Sequence, residues 1–267
     1  MREGRVGCRD GRGAAAWWLS AVAFPVVALA AVLIMDDQWR LWFDLPRLAR
    51  SQIATDALLL ETVLMVIVAP LGGVALVMRR LRRRDPLMRK QSETGALHRA
   101  WTLAWPLCAG AAVFAVTSAI LAWAVLGRSS DPLPLIAMSH AALCAATLAL
   151  ATGGAFCASV LSDPLDAAAC AVGLALVAAA GLLVAGPGVG NLPTVVIDAA
   201  LQASPIVAVA SAADIDILRM DALYRLSPLA HVRFDYPHWQ ATCGWYVGLA
   251  ITVFVAMTRV FDRRTHA

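Results

Sequence analysis

Residues 79–101 read RRLRRRDPLMRKQSETGALHRAW, and the architecture turns on this stretch. It packs eight of the chain's twenty-two basic residues, its only lysine among them, between two long apolar runs. A block of that charge density cannot lie in hydrocarbon and resists translocation, so it marks its own side of a membrane as cytoplasmic. The runs on either side are about twenty residues or more, the length that crosses roughly 30 Å of hydrocarbon at 1.5 Å per residue.

The bulk composition agrees. Sixty per cent of the 267 residues are apolar and fifteen per cent are charged, with a mean hydropathy of +0.71. A soluble domain distributes its apolar residues over amphipathic elements, whereas here they are continuous. The net charge of +4 comes from arginines at the ends of runs, which is a topology signal and argues against a nucleic-acid partner. The six cysteines form no C-x-x-C and no Cys/His cluster, so they read as small apolar packing residues.

Working outward, the chain divides into six predicted spans. The first, about 14–35, follows a start with four arginines (MREGRVGCRDGRG). It outlasts a secretory signal's apolar region and reads as retained. A polar segment follows, 36–56, with Trp39, Trp42 and Phe43, where an interfacial helix is expected. The second span, 57–78, holds Glu61 one turn in from its outer end, and Pro70-Leu71-Gly72-Gly73, which is expected to kink or loosen the helix. The loop 79–100 leads to the third span, 101–126. GRSSDP turns the chain into the fourth, 133–161, with His140 near its outer end. Ser162-Asp163-Pro164-Leu165-Asp166 makes an inner turn before the fifth, 167–185, and small residues crowd both of these helices. GPGVGNLP then breaks the chain. Residues 194–218 carry Asp198, Gln202, Ser204 and Pro205 in an apolar context. A central Asp costs about 2.5–3.5 kcal/mol on insertion scales, so two short helices dipping back from the outer face are expected. The sixth span is 240–258. Fifteen basic residues then fall inside and seven outside, placing both termini in the cytoplasm. The expectation is an all-α membrane protein: six transmembrane helices in one domain, with a re-entrant helical hairpin between helices five and six.

Chemistry is read as much from absences. No G-x-x-x-x-G-K-[ST] loop, H-E-x-x-H helix or G-x-S-x-G elbow occurs, and no two spans each offer a central aspartate. An enzyme with its own nucleophile or cofactor is therefore not expected. Glu61 and His140 are candidates for a translocation pathway, because an ionisable group within a span is a functional candidate by default. For either residue, a reach to interfacial water or ordinary packing is the alternative. In the basic loop, Asp85, Leu87, Met88, Arg89, Glu93, Leu97 and Arg99 are candidates for a docking helix. Arginines suit a groove of carboxylates, and apolar Leu87, Met88 and Leu97 need a partner surface. The alternative is that the arginines fix orientation and bind anionic lipid.

This arrangement resembles the membrane subunits of ABC-2 type exporters. The resemblance is carried by topology and by DPLMRKQSETGALHRAW (85–101), FCASVLSDPLDAA (156–168), SPIVAVAS (204–211) and YRLSP (224–228). It implies a permease subunit, a homodimer or heterodimer, whose first inner loop grips a separate ATPase subunit that binds the ATP. The N-terminal segment is shorter than the amphipathic connecting helix of many members. The Arg- and Ala-rich composition suggests a bacterium with GC-rich DNA, whose inner membrane is the expected location. Two alternatives stay open. One is a haem-export or cytochrome-maturation subunit, since WRLWFD (39–44) resembles Trp-rich haem-handling loops. The other is a membrane assembly protein with no transport cycle.

Overall fold

The computed structural model describes residues 11–43, 50–82, 96–126, 133–185, 193–216 and 236–266. Every element in them is a helix: α1 Gly11–Phe43, α2 Arg50–Arg82, α3 Ala96–Val125, α4 Leu133–Val160, α5 Pro164–Ala185, α6 Thr194–Ala203, α7 Pro205–Ala212 and α8 Trp239–His266. Within α2, α3, α4, α5 and α8 lie five stretches long and apolar enough to cross a membrane, or six if the bent pair α6–α7 counts as one. In addition, α1 is a 33-residue helix carrying the first apolar run. The chain is a multi-pass membrane protein.

The helix α4 is the axis of the bundle. It packs against α2 most extensively, then against α8, α3, α5 and α7, while α1 lies on α2 and α3. Its composition explains the position. Ala142, Ala145, Ala146, Ala149, Ala151, Gly154, Ala155 and Ala158 are all buried, and small side chains let neighbouring backbones approach on several sides, where packing drives association in lipid. The approach to α2 is close enough that two glycines are needed. A methyl group added at Gly73 would run into the carbonyl oxygen of Ala151 and lie 2.8 Å from the nitrogen of Ala155. One added at Gly154 would run into the carbonyl of Pro70 and lie 2.7 Å from its Cα. The helix α2 is continuous from Arg50 to Arg82 through Pro70-Leu71-Gly72-Gly73, and this stretch forms the notch into which α4 fits.

Several expected boundaries move. Among the described residues of 36–56, those before residue 44 belong to α1, which runs on to Phe43, and those from Arg50 belong to α2. The basic stretch is shortened from both ends, because α2 extends to Arg82 and α3 starts at Ala96. Arg80 closes that end of the bundle, donating through its guanidinium to Thr102 Oγ1 at 3.0 Å and to the Thr102 carbonyl at 2.6 Å. Trp101 and Trp105 stand exposed on the neighbouring turn of α3, ring centroids 6.2 Å apart, as interfacial aromatics do. At the α4–α5 turn, Asp163 accepts from the amides of Leu165 and Asp166 at 2.7 and 3.2 Å. With Pro164 behind it, this is an N-cap that starts α5 three residues earlier than the hydropathy does.

Residues 194–213 form two short helices, α6 and α7, meeting at 80°. The bend is at Ser204, whose hydroxyl donates to the Ala179 carbonyl on α5 at 2.9 Å and accepts from the Val207 amide at 3.4 Å. From α8, the Tyr246 hydroxyl donates to the Ala203 carbonyl at 2.9 Å. Backbone groups freed by a broken helix must find partners where water is scarce, and here Tyr246 on α8 serves the Ala203 carbonyl and Ser204 itself the Val207 amide. Leu201, Val207, Ala208, Val209 and Ala210 are buried beneath the bend.

Candidate functional site

Buried polar side chains in this bundle mostly bond to the backbone of their own helix. Thr62 donates to the Leu58 carbonyl, Thr152 to Leu148, Ser159 to Phe156 and Thr242 to His238. Such bonds satisfy the hydroxyl and commit it to nothing further. One group of three behaves otherwise. Glu61 on α2, Ser118 on α3 and His140 on α4 are 4%, 3% and 5% exposed, and they bond to one another across three helices.

The geometry follows from where each residue sits along its helix. Ser118 is seven residues before the end of α3 and His140 seven after the start of α4, so the turn between them brings both to one depth. The α2 helix starts at Arg50, which puts Glu61 about three turns in, not the one turn expected from hydropathy. All three lie towards the end of the bundle opposite Arg80. Ser118 Oγ is hydrogen-bonded to Glu61 Oε2 and lies 2.9 Å from His140 Nε2. The other imidazole nitrogen, Nδ1, is 2.7 Å from the Ile136 carbonyl oxygen and 3.2 Å from Ser139 Oγ.

A small cleft opens beside the three, with about 10 Å³ of room, close to the least that holds one water. Its remaining walls are apolar: Leu29 from α1, Ala57 and Leu58 from α2, Leu121 and Val125 from α3. Leu29, Leu121 and Val125 are only half-buried. A carboxyl and an imidazole in apolar surroundings are expensive unless they bond to each other or to something of opposite character. Ser118 is the link that lets them do so.

Chemically, the arrangement suits proton sharing better than nucleophilic attack. A hydroxyl beside an imidazole resembles a nucleophile–base pair, but Ser118 is engaged on both sides. It also lies inside α3, where backbone amides are used by the helix and none is turned to an oxyanion. No set of three His, Cys, Asp or Glu side chains among the described residues converges to hold a metal ion. The thiols of Cys157 and Cys170 lie 3.9 Å apart across α4 and α5, and Cys108, Cys144 and Cys243 are also free.

The two pathway candidates, Glu61 and His140, thus come together. Ser118, which joins them, was not singled out from the sequence. Its only signal there is its depth, which equals that of His140 on the opposite side of the GRSSDP turn. The docking candidates fare differently. Asp85, Leu87, Met88, Arg89 and Glu93 lie outside the described residues, while Leu97 and Arg99 belong to the first turn of α3 and not to a separate loop element. Trp39 and Trp42 belong to the last turns of α1, not to a loop. Comparison with protein-family models, with curated proteins and with solved structures found no match.

Proposed function

We propose that this chain is the membrane-spanning permease subunit of an ATP-driven exporter of the ABC-2 type, dimeric and coupled to a separate ATPase. In this reading α1 to α5 and α8 are the six spans, both termini are cytoplasmic in a bacterial inner membrane, and α6–α7 is re-entrant from the outer face. The basic elbow between α2 and α3 is the surface the ATPase moves. The observation that carries the reading is the bent pair α6–α7, a broken apolar helix inserted between the fifth span and the last. It is tied to both by Ser204 and Tyr246. A protein that merely anchors or assembles others has no need of broken helices packed into its centre, whereas one that rearranges around a cargo does.

Partner capture tests it. The full-length chain, purified from its own membranes, is expected to bring down a nucleotide-hydrolysing subunit, with ATP turnover confined to the complex. Reversing the charges of Asp85, Arg89 and Glu93 together is expected to abolish that association while leaving the chain inserted. ATP turnover by the isolated chain, or capture that survives the charge reversal, overturns the proposal. A haem absorbance band lost on changing Trp39 and Trp42 would replace it by the cytochrome-maturation reading.

A further inference from the structure

We propose that Glu61, Ser118 and His140 form a proton-binding site whose occupancy fastens α2, α3 and α4 together at the end of the bundle opposite Arg80. The inference deepens the pathway role given above to Glu61 and His140. It rests on that reading only for its use in transport, since the site itself follows from hydrogen-bond accounting.

The accounting starts at His140. A carbonyl oxygen 2.7 Å from Nδ1 requires that nitrogen to carry hydrogen, because two lone pairs cannot face each other at that distance. Nδ1–H is therefore fixed, and only Nε2 can change. Ser118 has one hydrogen and lies between two groups that each accept one. Two arrangements satisfy every atom. In the first, Nε2 is protonated and donates to Ser118 Oγ, and Ser118 donates to an ionised Glu61. In the second, Glu61 is protonated and donates to Ser118 Oγ, and Ser118 donates to a bare Nε2. They interconvert by moving two protons along the chain. The Oε2–H bond of Glu61 breaks as a new Oγ–H forms, and the old Oγ–H breaks as Nε2–H forms. Both hold the same number of protons, and neither carries net charge.

Removing one proton leaves an ionised Glu61 and a bare Nε2 competing for the single Ser118 hydrogen. One acceptor is then buried against another, which the surrounding apolar wall does not relieve. The helices must part or a water must enter, and the cleft beside the site has room for about one. Among the described residues, no other titratable or charged side chain lines that cleft. Leu29 faces it from α1, Ala57 and Leu58 from α2, Leu121 and Val125 from α3. Asp36 and Asp37 on α1, Asp56 on α2, and Cys108 and Cys144 on α3 and α4 do not line it. The ligand of the site is accordingly a proton, and its release is coupled to the packing of α2 on α4, the largest contact in the bundle.

The test uses the full-length chain in lipid nanodiscs, with wild type compared to Glu61→Gln, Ser118→Ala and His140→Gln across a pH series. Three readouts apply: the carboxyl stretching band in infrared difference spectra, the nitrogen-15 resonances of His140, and the thermal unfolding midpoint. Wild type is expected to keep Nδ1 protonated throughout. It should release one proton per chain as pH rises, with carboxyl and imidazole signals changing together and the midpoint falling over the same interval, since native-state proton binding is lost there. In Glu61→Gln the amide donates to Ser118, His140 stays neutral, and both the proton release and the pH dependence of the midpoint disappear. In Ser118→Ala the carboxyl and imidazole signals separate and titrate independently. His140 with Nδ1 unprotonated overturns the proposal, as does a Glu61→Gln protein that still releases the proton or a Ser118→Ala protein whose signals still move together. None of these readouts needs an ATPase or a cargo, so their failure and that of the export reading are distinguishable.

Discussion

Thr147 is a buried hydroxyl on α4 with no hydrogen-bond partner among the described residues, although Thr152, one turn and a half along the same helix, donates back to Leu148 at 3.0 Å. An unpaired buried hydroxyl costs about 1–3 kcal/mol, and replacing it by an apolar group of the same shape recovers part of that. Thr147→Val is therefore expected to stabilise the protein by about 1 kcal/mol, seen as a higher midpoint in an SDS unfolding titration. A loss of stability would show that the hydroxyl has a partner. Ser118 is the opposite case, a hydroxyl with two partners on two other helices, and its loss is expected to separate the titrations of Glu61 and His140 as described above. Sequence reading treated those two residues singly, because a carboxylate and a histidine 79 positions apart share no spacing rule. Only the register of three antiparallel helices makes them neighbours.

Between elements, the α2–α4 crossing is set by two glycines and spared by a third. Gly73→Ala and Gly154→Ala each push a methyl group into backbone of the facing helix, which cannot turn aside as a side chain can. Each is expected to cost about 3 kcal/mol or more, the upper range for overpacking. Gly153→Ala, one residue away, meets nothing within 4 Å and should be neutral or gain about 0.5–1 kcal/mol from helix propensity. Equal effects at 153 and 154 in the same unfolding titration would refute the notch. At the α6–α7 bend, Tyr246→Phe strips the Ala203 carbonyl of its donor. A loss of about 1 kcal/mol is expected, in the range of hydrogen bonds between membrane helices, with faster hydrogen exchange confined to α6 and α7. Exchange unchanged there would mean that Tyr246 does not hold the bend. The turn-forming power of Ser204-Pro205 was readable in advance, as an N-cap followed by proline at the first helical position. The Ala203 carbonyl that the bend sets free, and its partner Tyr246 on α8, were not.

For the whole molecule, apolar side chains on the outside carry the same message as the interior. Leu165, Leu174 and Val177 on α5 and Val195 on α6 are among the most exposed large apolar residues, an arrangement stable only against lipid or another membrane subunit. Orientation is tested through the basic elbow. Lys90 is the sole lysine, so a membrane-impermeant amine reagent added to intact cells is expected to leave the peptide containing it unmodified, and to modify it once the membrane is opened. Modification in intact cells reverses the topology and rules out the proposed docking of an ATPase there.

The sequence by itself determined the class of the protein and the places where the chain turns. Apolar runs of bilayer length, arginines at their ends and Pro/Gly/Asp turns are local properties, and local properties are written in order along the chain. It also marked Glu61 and His140 as out of place in hydrocarbon. What only the tertiary structure decided is which surfaces meet: that α4 is the axis, that Pro70-Leu71-Gly72-Gly73 forms the notch that receives it, and that Ser118 closes a path between a carboxylate and an imidazole. Contacts between helices depend on their rotation and depth relative to one another. In a bundle whose helices are apolar on nearly every face, the pattern of residues along one helix does not say which face turns inward.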